Sequence, residues 1–232
     1  MFRSKSFNNI NQPSVSSFLP HAKSASDIDK TLLDARTVIT IKTVRVEEIS
    51  NIAQRILNNS RGWKVDYSLD SEKNQWNDRY YDSYNMLSNI DDHIIACGSN
   101  ENLSIFVAYF SGVPVGILVF TFNEQITSAL PKVNLLVTHC GIRNCGILLM
   151  DHAVNTSLKL GMKGKLELYP LDGAIPAYLK MGFTVLADSP YLQLDPDKSN
   201  KWDCSNPNRY RYQGVKGNMM KTFFDWTLKV LQ

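Results

Sequence analysis

The chain has 232 residues, 44% of them apolar and 20% charged, with a formal net charge of +3. That is enough chain for one domain with a buried core plus a tail, and the near-balanced charge excludes a broad nucleic-acid surface. Four cysteines in a chain of this length, none in a CxxC pair, exclude a disulfide scaffold and point to free thiols in a reducing compartment.

Residues 1–36 differ from the rest. They are rich in Ser and Asn, carry no acid before Asp27, and show no apolar period. This composition reads as a disordered tail. A plain flexible tail is the favoured reading. The second is an uncleaved export signal, since unstructured Ser- and Asn-rich leaders resemble those of bacterial type III effectors. No signal-peptide apolar region is seen. The expected location is the cytoplasm, or a host cell if the tail is an address. Residues 37–232 form the expected folded domain.

Val38 to Val44 alternates as a strand. In "VEEISNIAQRILNN", Val46, Ile49, Ile52, Ala53, Ile56 and Leu57 share one helical face, and Glu47 and Glu48 suit its positive start. Gly62 to Ile95 is irregular, mixing tyrosines and tryptophans with many aspartates; part of it reads as a second helix. Leu103–Phe110, Pro114–Phe122 and Lys132–Thr138 read as strands. The uncharged run Ile105–Phe122 is broken by Ser111-Gly112-Val113-Pro114, so a hairpin explains it better than a membrane span.

A helix is expected from Gly146 to Leu160, stopped by Gly161. Lys165–Leu171 alternates again. A short helix runs from Gly173 to Met181 and stops at Gly182. Residues 183–187 and 209–212 give two last strands. The C-terminal segment is amphipathic through Met219, Phe223, Trp226, Thr227 and Val230. It is expected to pack on the domain.

The stretch "HCGIRNCG" carries the chemistry. Gly141 allows a tight turn, Asn144 tolerates left-handed angles, and Gly146 lets backbone approach a ligand. The N–H groups from about Ile142 to Ile147 precede the helical ladder, Arg143 adds positive charge, and no acid occurs before Asp151. A diphosphate fits such a loop. No lysine and hydroxyl follow Gly146, so this is not a P-loop, and the GxGxxG spacing of a dinucleotide loop is missing. Taken alone, the loop is equally a strand-to-helix turn that binds nothing. Cys140 and Cys145 with His139 and His152 lack zinc-knuckle spacing, so no metal is expected.

"FVAYFSGVPVGILVF", "VNLLVTHCGIRNCGILLMDHAV" and "AIPAYLKMGF" follow in this order. Together they resemble the GCN5-related N-acetyltransferases (the GNAT superfamily) over residues 38–213. Ser111 to Gly116 resembles the family's hairpin turn. Gly141 to Gly146 falls on its Arg/Gln-x-x-Gly-x-Gly/Ala coenzyme motif, and Tyr178, Gly182 and Phe183 match Tyr-x-x-x-Gly-Phe. Gly141 stands where the family has Arg or Gln, and Asn144 where it has glycine; Asn can adopt the needed conformation, and Arg143 compensates for the charge.

The resemblance implies a mixed, mostly antiparallel sheet flanked by helices, an α/β (α+β) fold with the coenzyme site at a splayed strand pair. It implies acetyl-coenzyme A as cosubstrate and direct attack by a primary amine of a protein or small molecule. Leu136, Val137 and Thr138 would offer backbone to the pantetheine, and Ile142, Arg143, Asn144, Cys145, Gly146 and Ile147 would hold the diphosphate. Tyr178 would protonate the leaving thiolate, a phenol being neutral near pH 7. Glu167 and Glu124 are the candidate bases, although each reads better as a solvated or salt-bridged surface acid. His139 suits a positioning role. The aromatic, acidic region after the first helix would suit a cationic acceptor, although it reads slightly better as a charged surface. Oligomeric state is open. The contrasting reading is a degenerate GNAT-like module that binds a protein partner without turnover.

Overall fold

The structure is a computed structural model that describes residues 39–60, 64, 71–98, 102–122, 129–139, 142, 144–187 and 189–214, with backbone alone at 71–76. The N-terminal tail and the amphipathic C-terminal segment lie outside the described residues.

The chain runs β1 (Ile39–Val44), α1 (Ile49–Ser60), α2 (Ser71–Ser88), α3 (Ile90–Ala96), β2 (Leu103–Phe110), β3 (Val113–Thr121), β4 (Lys132–Thr138) and α4 (Cys145–Lys159). It continues through β5 (Leu166–Leu168), α5 (Ile175–Met181), β6 (Thr184–Val185), β7 (Leu192–Leu194), β8 (Trp202–Asp203) and β9 (Arg211–Tyr212). Seven strands form one sheet in the order β1-β2-β3-β4-β5-β7-β6. Every pairing is antiparallel except β4 with β5. The expected mixed, mostly antiparallel sheet is therefore what the chain forms.

Two cores sit on the two faces. α1 and α3 bury Ile49, Ile52, Ile56, Ile90 and Ile94 against Ile105, Val107, Ile117 and Val119. The face of α1 read from its period is the face that is buried. On the other side α4 buries Cys145, Leu149, Met150, Ala153 and Val154 against Leu118, Phe120, Leu166 and Leu168. β2 and β3 are packed on both faces, which is why their sequence runs apolar rather than alternating.

Three expectations change. Residues 71–96 hold two helices, α2 and α3, where one was expected in part of the stretch. α2 hides from a period search because it is polar, with Asn77 fully buried and its tyrosines exposed or half-buried. The strand expected over Lys165–Leu171 holds only Leu166–Leu168; the following Tyr169-Pro170 leads into the turn before α5. Strand β7 lies between β5 and β6 and was absent from the sequence reading, whereas residues 211–212 pair with β8 in a separate ribbon. Gly161 and Gly182 end their helices at φ +80 and +97, as expected for left-handed stops.

Candidate active site

β4 is paired on both sides only at its start. Lys132 and Val133 lie opposite Glu167 and Leu168, and there the β5 pairing stops. β4 continues five residues to Thr138, about 16 Å at the usual strand rise. Because the two strands are parallel, the wedge opens at their C-terminal ends, where α4 and α5 begin. That is where open sheets commonly bind ligands.

A bulge sets which groups face the wedge. The β3–β4 register slips between Val119 and Phe120, which lie opposite Leu135 and Val133, so Asn134 is the extra residue. Val133 consequently packs with the α4 core, while Leu135 and Val137 pack with the α1 core. Leu136 returns to the α4 side. At the strand end the His139 N–H donates to Val115 O at 2.7 Å. Alternation then turns the amides of Leu135 and Val137 toward β3, and those of Leu136 and Thr138 toward the wedge. Of the three backbone groups expected to meet the pantetheine, those of Leu136 and Thr138 face the open edge, and that of Val137 is committed to the β3 side.

The loop next to this edge has the expected shape where it is described. Asn144 caps α4 at φ 63, ψ −1, in the left-handed region. The first helical bond runs from the Leu148 N–H to Asn144 O, so the N–H groups of Cys145, Gly146 and Ile147 have no partner within the helix. Ile142 differs from expectation: its N–H already donates to His139 O at 3.1 Å, and its side chain packs on the core. Arg143, like Gly141, lies outside the described residues. Gly146 faces the wedge edge; a Cβ there would sit 3.7 Å from Leu136 Cδ2 and 3.9 Å from Thr138 Cγ2, ordinary contact distances. The protein itself therefore has room for a side chain at 146.

Cys145 contributes only its amide. Its side chain is fully buried, and burial pushes its thiol up to about 12, which excludes a thiolate nucleophile. His139 is also buried, with Nε2 3.4 Å from Asn59 O. Desolvation lowers it to about 4, so it is neutral at pH 7. It ties the end of β4 to the end of α1.

Tyr178 sits on α5 beside the same core that Leu136, Ile142 and Ile147 border, with its ring edge-on to Phe183 at 5.6 Å. Desolvation raises its phenol to about 12. The group thus carries its proton throughout the ordinary pH range, as a general acid requires.

The candidate bases fare differently. Glu124 lies outside the described residues. Glu167 is half-buried at the closed end of the wedge, 3.1 Å from Lys132 Nζ and 3.4 Å from Gln193 Nε2. It stands beside Lys132, a full strand length from Thr138. A carboxylate held there by an ammonium is a seam between strands, so the salt-bridge alternative describes its observed contacts. A small recess reaches Thr138 from the α1–α2 side, bounded by Leu57, Ser60, Tyr80 and Ser83. A second recess of about 240 Å³, lined by Ser50, Gln54 and Asp91 among others, lies between α1, α2 and α3 and shares Leu57, Tyr84 and Leu87 with the first.

Sheet order, the parallel pair opening at Val133, the left-handed cap before α4 and the Tyr178 helix coincide with the quoted motifs. This is the architecture that the motif resemblance implies. No protein-family model and no curated protein matches the chain in sequence. Solved structures do match in chain course. PaiA N-acetyltransferase from Thermoplasma acidophilum, in complex with coenzyme A, aligns over 67% of this chain and 96% of its own at 16% identity and TM-score 0.38. The N-acetyltransferase PseH from Campylobacter jejuni, in complex with acetyl coenzyme A, aligns over 68% and 99% at 15% identity and TM-score 0.39. A GNAT-family acetyltransferase from Streptococcus pneumoniae aligns over 64% and 86% at 16% identity and TM-score 0.39. With TM-scores below 0.5, the GNAT-like reading stands on this chain's own strand order and motifs.

Asn134 and Gly116 escaped the sequence reading as site-shaping residues. Val133, Asn134 and Leu135 read as plain alternation with both apolar residues on one face, so the bulge that parts them leaves no mark. Gly116 was legible only as part of the hairpin motif.

Proposed function

We propose that the chain is an acetyl-coenzyme A-dependent N-acetyltransferase acting on a primary amine of a protein or small molecule. The observation that carries this reading is the meeting of two sets of backbone groups: the unpaired edge at Leu136 and Thr138 beside the helix-start amides of Cys145, Gly146 and Ile147. The edge suits an amide-bearing chain such as pantetheine, and the helix start suits a diphosphate. The space over Gly146, which a side chain could fill without clash, is the cradle such a ligand requires.

Acetyl-coenzyme A would supply an activated acetyl thioester at the wedge. In the transfer the amine nitrogen bonds to the acyl carbon as the carbon–sulfur bond breaks; nitrogen gives up one proton and sulfur takes one. Tyr178 would hold the second of these protons at its hydroxyl, on the α4 side of the sheet. The Leu136 and Thr138 amides would orient the acyl arm. Proton removal from the ammonium would fall to water admitted at the wedge or to Glu124, because Glu167 is engaged with Lys132.

Thermal shift with acetyl-coenzyme A, coenzyme A and ATP tests the reading. Stabilisation by both coenzymes is expected; stabilisation by ATP alone would overturn it. The engagement of Glu167 with Lys132 favours a second reading, a GNAT-like module that binds a protein partner without turnover. Coenzyme binding with no acetyl transfer to any amine or peptide would select it. A cytoplasmic site of action is the matching proposal, with export only if the Ser- and Asn-rich leader directs it; loss of secretion on deleting residues 1–36 would test that address.

A further inference from the structure

The two halves of the sheet are covered unequally. α1 and α3 build the second core against β2, β3 and β4, and that core contains no residue of β5, β6 or β7. Leu166, Leu168, Leu192 and Leu194 all point to the α4 side. Strand alternation therefore puts Glu167, Tyr169, Tyr191 and Gln193 on the other face, together with Lys132, which neighbours the α4-facing Val133. Their contacts agree: Lys132 bonds Glu167, Gln193 bonds Glu167, Lys132 Nζ lies 5.0 Å over the Tyr191 ring, and Tyr191 meets Tyr169 edge-on at 5.9 Å.

Tyr169 is the first residue past the last β4–β5 pair, so it stands at the vertex of the wedge. It is 67% exposed. On this face it is opposite to Tyr178, which packs with the α4 core. An acceptor arriving over Tyr169 and a proton donor at Tyr178 would thus approach a thioester in the wedge from opposite sides of the sheet.

Building on the acetyltransferase reading, we propose that Tyr169 and Tyr191 form the acceptor platform, and that the acceptor is the ε-ammonium of a lysine in a polypeptide. Three features identify that chemistry. Tyrosine faces attract alkylammonium groups, and Tyr191 already holds the chain's own Lys132. Helix α2, which borders Thr138, and the adjoining α3 are acidic: residues 71–98 hold five carboxylates against two Lys or Arg, a net −3 in a chain of +3. A cation is drawn to such a surface. Finally, exposed apolar side chains stand on both sides of the opening: Tyr84 of α2, which lines the recess reaching Thr138, and Tyr169 and Leu171 beyond β5. A peptide backbone with neighbouring side chains can cover these; a small diffusible polyamine cannot use them.

The test uses the full chain saturated with coenzyme A or acetyl-coenzyme A. Its probes are a blocked lysine peptide, the same peptide with arginine for lysine, and spermidine. Acetylation of the lysine peptide in preference to spermidine is expected. Tyr169→Ala should raise the peptide KM about tenfold and leave coenzyme A affinity unchanged; Tyr169→Phe, which keeps the ring face, should restore the wild-type KM. Equal peptide KM in wild type and Tyr169→Ala, or preferred turnover of spermidine, would overturn the proposal. So would failure of coenzyme-loaded protein to acetylate any lysine peptide. Failure to bind coenzyme A would instead overturn the acetyltransferase reading, and this inference with it.

Discussion

Gly116 and Cys145 meet across the interface between β3 and α4 with no space between them: a Cβ on Gly116 would lie 2.9 Å from Cys145 Sγ, 3.1 Å from Leu149 Cδ1 and 3.1 Å from Thr138 Cγ2. All three atoms belong to packed side chains, two of them fully buried. The glycine is what lets the start of α4 lie against the sheet beside the open edge. Gly116→Ala should therefore destabilise the fold by about 1–3 kcal/mol, the range for overpacking, read as a lowered midpoint in urea.

The opposite outcome is expected at the residue after Cys145. At Gly146 an added Cβ meets only ordinary contacts, so Gly146→Asp should leave the urea midpoint nearly unchanged. Its carboxylate would stand where the diphosphate is proposed to lie, and coenzyme A binding by calorimetry should be lost. Unchanged affinity would move the anion site elsewhere. Asn144→Gly should preserve or strengthen binding, because it relieves a left-handed non-glycine residue at φ 63.

Tyr178→Phe removes one oxygen and keeps the ring that packs against Phe183. Stability should change by less than about 1 kcal/mol, and coenzyme affinity should hold. Turnover of an accepted amine should fall roughly 10²-fold or more, the loss expected for a positioned general acid. With the phenol raised to about 12, the wild-type rate should show no falling limb from this group up to pH 10. Equal turnover in both proteins would remove Tyr178 from the mechanism.

His139 makes the fold acid-sensitive. Its folded value of about 4 lies below the ordinary 6.5, so the unfolded chain binds the proton more readily between those values. Its stabilising effect is complete above about pH 6.5, declines as pH falls, and is lost by about pH 4, an integrated difference of about 3 kcal/mol. His139→Gln should flatten the slope of stability between pH 6.5 and 4 relative to wild type. Parallel slopes in the two proteins would show that the imidazole is not the group titrating.

Much of this architecture is legible in the sequence because its signals are local. The α1 stripe is periodic, Gly161 and Gly182 punctuate helix ends, and Asn144 advertises a left-handed turn. What escapes is set by partners distant in sequence. α2 buries Asn77 and exposes tyrosines, so its pattern makes sense only against the elements it packs on. β7 is three residues long, too short for a period, and exists because it extends a sheet already built. The role of Glu167 depends on Lys132, thirty-five positions earlier, reaching it from the neighbouring strand.

The join between β4 and β5 has a mechanical meaning. The sheet consists of two plates, β1 to β4 and β5 with β7 and β6, stitched along a seam only two residue pairs long. Across that seam the shared α4 core holds one surface and the Lys132–Glu167 pair the other. Fewer backbone pairs hold the angle between the plates than hold any joint within β1 to β4. A molecule laid along the opening acts as a splint, so occupancy should register as slowed amide exchange in Leu166–Leu168, a strand it need never touch.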